Sequence, residues 1–532
     1  MTSTITIPDP MMTPPPANPP VLSGRHPTHL RLASAMVAIV AAFASQAGNS
    51  QPPKINPPSP VREFRAAWVA TVGNIDWPSR KTLTTQEQKV ELLAILDRAV
   101  QLKLNAIIFQ VRPACDAMYA SRIEPWSEYL TGTMGKAPEP FYDPLAFAVE
   151  EAHKRGLELH AWFNPYRARL RATSSPASAN HVSKTRPQLV RQYGELLWLD
   201  PGDKAVQEYS LSVVMDVVKR YDVDGAHFDD YFYPYKVKDG SGQDLDFPDD
   251  SSWQRFGAGG MLSRADWRRE NVNVFIQRVY QSIKAAKPWV KFGVSPFGIW
   301  RPNNPPQIKG FDAYASLYAD SRKWLVNGWV DYFVPQLYWA IEPPEQSFPV
   351  LLRWWAEQNT KGRTLCPGIN STKVGGRSQS RRGWEPEEIV KQIRLSRTQH
   401  GVSGHVHWNM KSLMRNAAFD EQLQREVYQQ PALMPPSPWL GRAQPAMPKL
   451  TIAKMRSGSP PRINWTPGGQ GTVWLWLLQT QTRGEWTTEI LPGKQTSRSW
   501  NGSLPNVVAV SAVNRNGETS SPSVLQTSGN TR

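Results

Sequence analysis

Cysteine is scarce in this sequence: Cys115 and Cys366 are the only two among 532 residues. A disulfide framework is therefore excluded, and no CxxC pair or Cys/His cluster is present that would build a structural zinc site. The two thiols fall on different predicted strands or loops, so we do not expect them to pair. No glycine-rich phosphate loop follows the first predicted strand, which argues against a dinucleotide-binding fold.

Basic runs with interleaved aromatic residues are also missing, although the formal net charge is +16. Without such runs, and without a recognisable nucleic-acid motif, we expect no nucleic-acid partner. The positive charge suits attraction to an anionic cell envelope, or it serves solubility alone. His160, His227 and His407 do not have the spacing of a metal-ligand motif. We therefore expect no metal and no other cofactor.

A long hydrophobic run is absent near the start of the chain. Arg25 and Arg31 precede the short apolar stretch Leu32–Ala44, which ends in small residues. This is the three-part pattern of a signal peptide, and a membrane span needs about 20 apolar residues. Residues 1–60 are thus predicted to be a signal or anchor segment with a disordered, proline-rich linker. The prediction is a periplasmic, cell-envelope or secreted protein, with membrane anchoring through this segment as the alternative to cleavage.

Between residues 61 and 430, short apolar runs alternate with amphipathic stretches such as Gln86–Leu102, Ala265–Lys287 and Asp312–Val326. This alternation predicts βαβ units around a parallel sheet. Eight strands with intervening helices predict an α/β fold of the (β/α)8 TIM-barrel type. The candidate strands are Phe64–Ala70, Ala106–Val111, Leu157–Phe163, Gly225–Asp229, Lys291–Ser295, Tyr332–Pro335, Thr364–Ile369 and Gly404–Trp408.

The remainder of the chain has a different pattern. Residues 431–448 are rich in proline and are predicted to be a linker. Residues 449–527 contain short alternating runs, such as Thr472–Leu478 and Asn506–Val513, which predict a small β-sandwich of fibronectin III or immunoglobulin type. Its tryptophans belong either to the sandwich core, which we favour, or to a sugar-binding platform; they are Trp465, Trp474, Trp476, Trp486 and Trp500.

Polar and aromatic residues follow six of the eight predicted barrel strands. The carboxyl ends of barrel strands form the active site in enzymes of this fold. A mouth lined by hydrogen-bonding and ring-stacking side chains indicates a carbohydrate site. The predicted substrate-binding residues are Gln110, Arg112, His160, Asn164, Arg167, His227, Tyr231, Gln336, Tyr338, Trp339 and Trp408.

The fourth strand gives the sharpest catalytic signal. Alternate residues of a strand share one side, so His227, Asp229 and Tyr231 are expected to point into the barrel. Asp229 and Asp230 are adjacent at the strand end, and two neighbouring carboxylates raise the pKa of one of them. Glycosidic cleavage needs such a protonated acid and a second group on the opposite face of the sugar. We predict Asp229 and Asp230 as catalytic residues, with Glu124 as a further candidate.

Two more carboxylates have less specific interpretations. Asp116 is expected to form a buried ion pair with Arg112 that supports the loop after the second strand. Asp76 follows the first strand and is equally consistent with a turn residue and with a sugar ligand.

These segments resemble the glycosyl-hydrolase-like family formerly called domain of unknown function 187, which includes the divisome-associated hydrolase of denuded peptidoglycan glycans. The resemblance covers residues 61–430 and implies a barrel, a glycan substrate and an envelope location. The segments that carry it are residues 64–69 (FRAAWV), 74–78 (NIDWP), 110–113 (QVRP), 124–127 (EPWS), 160–167 (HAWFNPYR), 224–234 (DGAHFDDYFYP) and 335–339 (PQLYW).

A fainter likeness connects the fourth strand with the family-18 chitinases, whose motif has three acidic positions and ends in a glutamate. Here Asp229 matches the second Asp, while His227 and Tyr231 occupy the first Asp and the Glu positions. The resemblance therefore leaves the acid role to Asp229 or Asp230. Substrate assistance by an N-acetyl group is a further possibility by analogy.

Two hypotheses for function follow. The first is a glycoside hydrolase that cleaves N-acetylated, peptidoglycan-type cell-wall glycan by carboxylate acid/base catalysis. The second is a non-catalytic envelope protein that binds the same glycan, which the absence of the chitinase glutamate permits. A polysaccharide is the expected partner in both cases.

Overall fold

The first part of the chain forms eight short parallel strands, each followed by at least one helix. Apolar and β-branched side chains dominate them, and nearly all of their residues are buried because helices cover the outer face of the sheet. The strands are β1 (Phe64–Val69), β2 (Ala106–Arg112), β3 (Glu158–Phe163), β4 (Gly225–Phe228), β5 (Lys291–Val294), β6 (Tyr332–Phe333), β7 in two parts (Thr364–Leu365 and Gly368–Asn370) and β8 (Gly404–Trp408).

The sheet closes on itself through β7. The first part of β7 pairs with β6, and the second part pairs with β8. Backbone hydrogen bonds also continue at the two residues between the parts of β7. The amide of Cys366 donates to the carbonyl of Phe333 at 3.0 Å, and the amide of Val406 donates to the carbonyl of Pro367 at 3.0 Å. The strand β7 therefore joins β6 to β8 and closes the sheet into a barrel. The predicted TIM barrel is confirmed.

The helices between the strands have strong N-caps. Thr84 forms a capping box with Glu87, and the carboxylates of Asp143 and Asp203 accept backbone amides at the starts of the helices Pro144–Lys154 and Lys204–Arg220. The helices are Thr85–Gln101, Glu128–Thr131, Pro144–Lys154, Val182–Thr185, Lys204–Arg220, Asp250–Phe256, Arg264–Ala286, Ala313–Ser316, Ser321–Asn327, Phe348–Gln358, Pro386–Thr398, Met410–Arg415 and Ala417–Glu426.

One predicted helix is wrong as a continuous element. The stretch Asp312–Val326 contains two short helices, Ala313–Ser316 and Ser321–Asn327. Tyr318 between them has a φ of 52°, outside the helical region. The Asp320 carboxylate then accepts the amide of Lys323 and starts the second helix. The apolar spacing was compatible with one helix, but this backbone turn interrupts it.

The C-terminal strands form two antiparallel sheets. A three-stranded sheet faces a four-stranded sheet, and Trp465 and Trp476 are buried between them, which confirms the core interpretation for these two residues. The strands are β9 (Lys449–Ile452), β10 (Arg462–Thr466) and β13 (Ser497–Ser499) in one sheet, and β11 (Leu475–Thr482), β12 (Glu485–Pro492), β14 (Val507–Val513) and β15 (Ser523–Gln526) in the other.

The sandwich packs against the base of the barrel, at the amino ends of the strands. Arg515 of the sandwich donates to Asp224, the residue before β4, at 2.9 Å, and Trp439 of the proline-rich segment donates to Asp331, the residue before β6, at 2.8 Å. The proline-rich segment runs along the same base, where the amide of Leu433 donates to the carbonyl of Val61 at 2.9 Å. The sandwich therefore lies at the end of the barrel opposite the carboxyl ends of the strands.

The computed structural model describes residues 55–170, 175–375, 383–453 and 460–527. No helix in these ranges is long and apolar enough to cross a membrane. The predicted signal or anchor segment Leu32–Ala44 lies outside the described residues, so it remains a prediction. Cys115 and Cys366 are both buried and unpaired with each other, as expected.

Candidate active site at the mouth of the barrel

The two aspartates after β4 lie together at the carboxyl end of the barrel. Asp229 and Asp230 are only 4% and 5% exposed. The Trp162 indole donates to the Asp229 carboxylate at 3.1 Å, and the Asn164 amide donates to both of its oxygens at 3.2 Å. Trp162 belongs to β3 and Asn164 follows it, so neighbouring strands fix the position of Asp229.

The partners of Asp229 are all donors. Besides Trp162 and Asn164, the Tyr231 amide donates to it at 3.4 Å. Asn164 cannot simply reverse its amide, because its oxygen accepts the backbone amide of Arg167 at 3.1 Å. A proton on Asp229 thus has no acceptor among its hydrogen-bonding partners in the described residues. It can therefore pass to a ligand that approaches the carboxyl group.

Asp230 has its own set of partners. The Tyr235 hydroxyl donates to one carboxylate oxygen, and the Gln336 amide donates to the other at 3.2 Å. Gln336 also donates to the carbonyl of Ser295 at 2.9 Å, which orients its side-chain amide. The loops after β4, β5 and β6 therefore hold this second carboxylate.

The pKa of each of the two carboxyl groups is raised. Burial raises the pKa of Asp229 to about 7, and the negative charge of Asp230 adds to this shift. Burial also raises the pKa of Asp230, against the hydrogen bonds from Tyr235 and Gln336. Near neutral pH the pair can therefore hold one proton and one negative charge.

Arg167 supplies positive charge beside the pair without neutralising it directly. The side chain is buried, its Nε donates to the carbonyl of Pro113 at 2.9 Å, and its guanidinium lies 4.9 Å from the ring centre of Tyr231. Its charge lowers the pKa of both aspartates, although burial has the larger effect. Within the described residues, neither aspartate forms an ion pair.

Aromatic side chains border the pair. The half-buried Trp408 ring lies 6.1 Å from Trp68 and 6.2 Å from Trp162, centre to centre. Tyr338 and Trp339 follow β6 and are also half-buried. Burial, followed by the negative charge of Asp230, raises the pKa of Tyr338. These predicted substrate-binding residues therefore gather around the mouth.

His160 and His227 lie elsewhere, in the packed interior of the barrel. Trp68 donates to His227 Nε2 at 3.2 Å, so the proton of His227 is on Nδ1 and is donated to the Tyr332 hydroxyl at 3.0 Å. Tyr332 in turn donates to His160 Nδ1 at 2.8 Å, and His160 Nε2 donates to Glu158 at 2.9 Å. The prediction that both histidines contact substrate is wrong, because each ring is fully buried in this chain of hydrogen bonds.

We expect Tyr332→Phe to lower the free energy of unfolding by about 2–4 kcal/mol, because it leaves His227 and His160 each with one unpaired buried nitrogen. Denaturant unfolding followed by circular dichroism measures this loss. Tyr233→Phe is the matched control, since the buried Tyr233 hydroxyl has no hydrogen-bond partner in the described residues. Equal losses in the two variants would contradict the proposed order of hydrogen bonds.

The structure also corrects the roles expected for three residues near β2. Arg112 forms its ion pair with Glu124, at 2.6 Å, rather than with Asp116. Tyr209 donates to the same Glu124 carboxylate at 2.8 Å, and both ionic side chains are at most 1% exposed. Gln110 is equally buried and accepts the backbone amide of Val72 at 2.8 Å. These contacts support the loop, and neither Glu124, Arg112 nor Gln110 joins the aspartate pair.

The remaining carboxylates after the early strands have backbone partners. Asp116 accepts the amide of Ala114 at 2.8 Å. Asp76 accepts the amides of Ala70 and Lys411, both at 2.8 Å, and thereby joins the loops after β1 and β8. Burial raises the pKa of Asp76 to about 6. This geometry supports the turn interpretation of Asp76.

Two residues of the site were missed in the sequence. Trp162 alternates with His160 and Asn164 along β3, so the period of two could have identified it. Tyr235 lies five positions after Asp230, in a loop where no periodicity applies, and only the fold brings its hydroxyl to the carboxylate. No group of three or more potential metal-ligating side chains occurs in the part of the chain that the structure describes.

A closed parallel barrel with an acidic pair and aromatic side chains at its mouth is the arrangement found in TIM-barrel glycoside hydrolases. Residues 63–385 match the family model Glycosyl hydrolase-like 10, and the chain belongs to this family.

Relatives with similar sequences carry matching names. Glycosyl hydrolase YngK of Bacillus subtilis (strain 168) is 42% identical over 420 residues, which cover 77% of this chain and 81% of the relative. Glycosyl hydrolase DigH of Escherichia coli (strain K12) is 37% identical over 384 residues, covering 67% and 85%. The solved glycoside hydrolase domain of PgaB (BpsB) from Bordetella bronchiseptica overlaps with a TM-score of 0.43 at 13% identity, covering 69% of this chain and 99% of that one.

Proposed function

We propose that this protein hydrolyses glycosidic bonds and that Asp229 is the general acid. The observation that carries the proposal is the environment of Asp229: burial and the negative charge of Asp230 raise its pKa to about 7, against the hydrogen bonds that it accepts from Trp162 and Tyr231. A proton held there near neutral pH can pass to the oxygen of the leaving sugar. The leaving group then departs as an alcohol, and water completes the hydrolysis.

Asp230 is the companion group in this proposal. Its hydrogen bonds from Tyr235 and Gln336 favour the ionised form, so it supplies negative charge beside the reacting sugar. This charge stabilises the positive character that develops at the sugar ring in the transition state. The acetamide of an N-acetylated sugar is an alternative source of that stabilisation.

The proposed substrate is an N-acetylated cell-wall glycan of the peptidoglycan type, reached outside the cytoplasm. Three observations support it: the resemblance to a family that includes a hydrolase of denuded peptidoglycan glycans, the aromatic walls that suit sugar rings, and the net charge of +16, which suits an anionic envelope. The apolar stretch Leu32–Ala44 supports export.

The direct test is incubation with glycan strands freed of their peptides, with new reducing ends as the measurement. We expect reducing ends to accumulate in proportion to enzyme and time. Binding to the strands without any release of reducing ends would favour the non-catalytic glycan-binding protein instead. Neither binding nor release would reject the proposed substrate.

The pH dependence of kcat/KM gives an independent test of the acid. Activity requires protonated Asp229, so kcat/KM should fall above about pH 7, by roughly tenfold for each pH unit. Below that pH the protonation of Asp230 should reduce activity again and give a bell-shaped profile. A rate that stays constant well above neutral pH would exclude Asp229 as the proton donor.

A further inference from the structure

Four half-buried aromatic rings form a continuous row that begins beside Asp230. The Tyr235 ring stacks on Phe311 at 5.3 Å, Phe311 meets Phe297 at 5.2 Å, and Phe297 meets Trp339 at 5.6 Å, centre to centre. We call these four residues the aromatic strip. Because the Tyr235 hydroxyl also donates to Asp230, the strip begins at the proposed reaction centre.

The backbone holds the far end of the strip in place. Phe297 and Gln336 form a parallel bridge between the loops after β5 and β6. The next residue, Gly298, lies so close to that loop that a β-carbon there would stand 2.2 Å from the Gln336 carbonyl oxygen and 2.9 Å from the Trp339 ring. Only glycine permits this approach, so the position of Trp339 beside Phe297 is built into the chain.

A second aromatic group contacts Asp229. Trp162 donates to Asp229 and packs against Trp408. Each aspartate is therefore tied to a different group of rings, Asp229 to the tryptophans and Asp230 to the aromatic strip. A sugar bond placed at the pair would therefore lie next to rings of both groups.

We infer that the aromatic strip is a binding subsite for a pyranose ring beside the reacting bond, so that the enzyme cuts within glycan chains. The inference rests on the proposed function for the identity of the occupant. The apolar faces of sugar rings suit half-exposed aromatic side chains, which bury area at little cost in conformational freedom. The strip is continuous with the site, and its residues come from three successive loops of the mouth.

Phe311→Ala, made together with Asp229→Asn, tests the subsite by its effect on binding. The affinity for N-acetylglucosamine oligomers, from the disaccharide to the hexasaccharide, is measured by calorimetry. We expect about tenfold weaker binding of the hexasaccharide, which is about 1.4 kcal/mol. Trp354→Ala is the matched control, because Trp354 is also half-buried but stacks on Trp300 instead of joining the strip. Equal affinities in the two variants at every length would overturn the subsite.

The lengths of the products test cleavage within chains. The parent enzyme should release fragments of intermediate length early from long peptide-free strands, and Trp339→Ala should shift where the cuts fall. Release of single sugars or disaccharides alone from the first time points would overturn this part of the inference. If the proposed function is wrong, no products of any length will form. The binding series with Phe311→Ala tests the aromatic strip independently of that result.

Discussion

Asp229→Asn should lower kcat/KM on peptide-free glycan strands by about a thousandfold, the scale of a lost general acid. The asparagine keeps the size of the side chain and remains in reach of Trp162, but it cannot deliver a proton. Affinity for the strands should persist, because the aromatic walls and Asp230 are unchanged. Asp230→Asn should also reduce kcat/KM. Comparison of the two losses in kcat/KM shows which aspartate contributes more to catalysis.

Two controls separate chemistry from folding in this experiment. Asp244→Asn changes an exposed carboxylate in the same loop that pairs with Lys238, and it should retain full activity. A buried carboxyl with a raised pKa destabilises the folded state progressively as pH rises from its ordinary pKa to about 7. At about pH 8, Asp229→Asn should therefore unfold at the parental temperature or higher. An active Asp229→Asn variant would end its assignment as the acid.

Glu124→Ala should lower the free energy of unfolding by about 3–5 kcal/mol, the second large effect that we expect. Its carboxylate bonds Arg112 and Tyr209 in a region with almost no solvent exposure. Removing it leaves the Arg112 guanidinium buried without a counter-charge. Urea unfolding of parent and variant provides the measurement.

The comparison variant is Glu208→Ala, which breaks an exposed pair with Arg278 and should change stability by less than about 1 kcal/mol. A folded, stable Glu124→Ala protein that had lost only its catalytic rate would restore Glu124 as a catalytic candidate. A loss of stability larger than that of Glu208→Ala, with activity retained in the folded fraction, supports the structural role.

Charge partners distinguish Asp229 from the buried carboxylates that form ion pairs. Glu63 is buried, which by itself would raise its pKa, but Arg397, His405 and Arg65 hold that pKa at about 2. Glu158, at the base of the barrel, similarly pairs with Lys291 at 2.7 Å. Asp229 has no such ion pair in the described residues, and its pKa is raised. A carboxyl group with a raised pKa can hold a proton near neutral pH, whereas the ion pairs of Glu63 keep it ionised.

The resemblance of the early strands to glycoside hydrolases located the mouth correctly, but it did not distinguish substrate contacts from loop supports. Gln110 and Arg112 sit in matching segments, yet their side chains bond Val72 and Glu124. Conversely, Phe297 and Phe311 lie in no matching segment. Motifs mark positions along the chain, whereas the direction and depth of each side chain depend on its neighbours in space.

The sequence by itself determined the eight strands, their order and the placement of Asp229 and Asp230 at a strand end, because apolar periodicity and strand alternation are local properties. Only the tertiary structure determined how deep in the barrel each side chain lies. His227 and Asp229 share one face of the same strand, yet His227 is bonded within the packed interior and Asp229 lies at the mouth. The partners that fix this difference, Tyr332 and Trp162, are distant in sequence and adjacent only in the closed barrel.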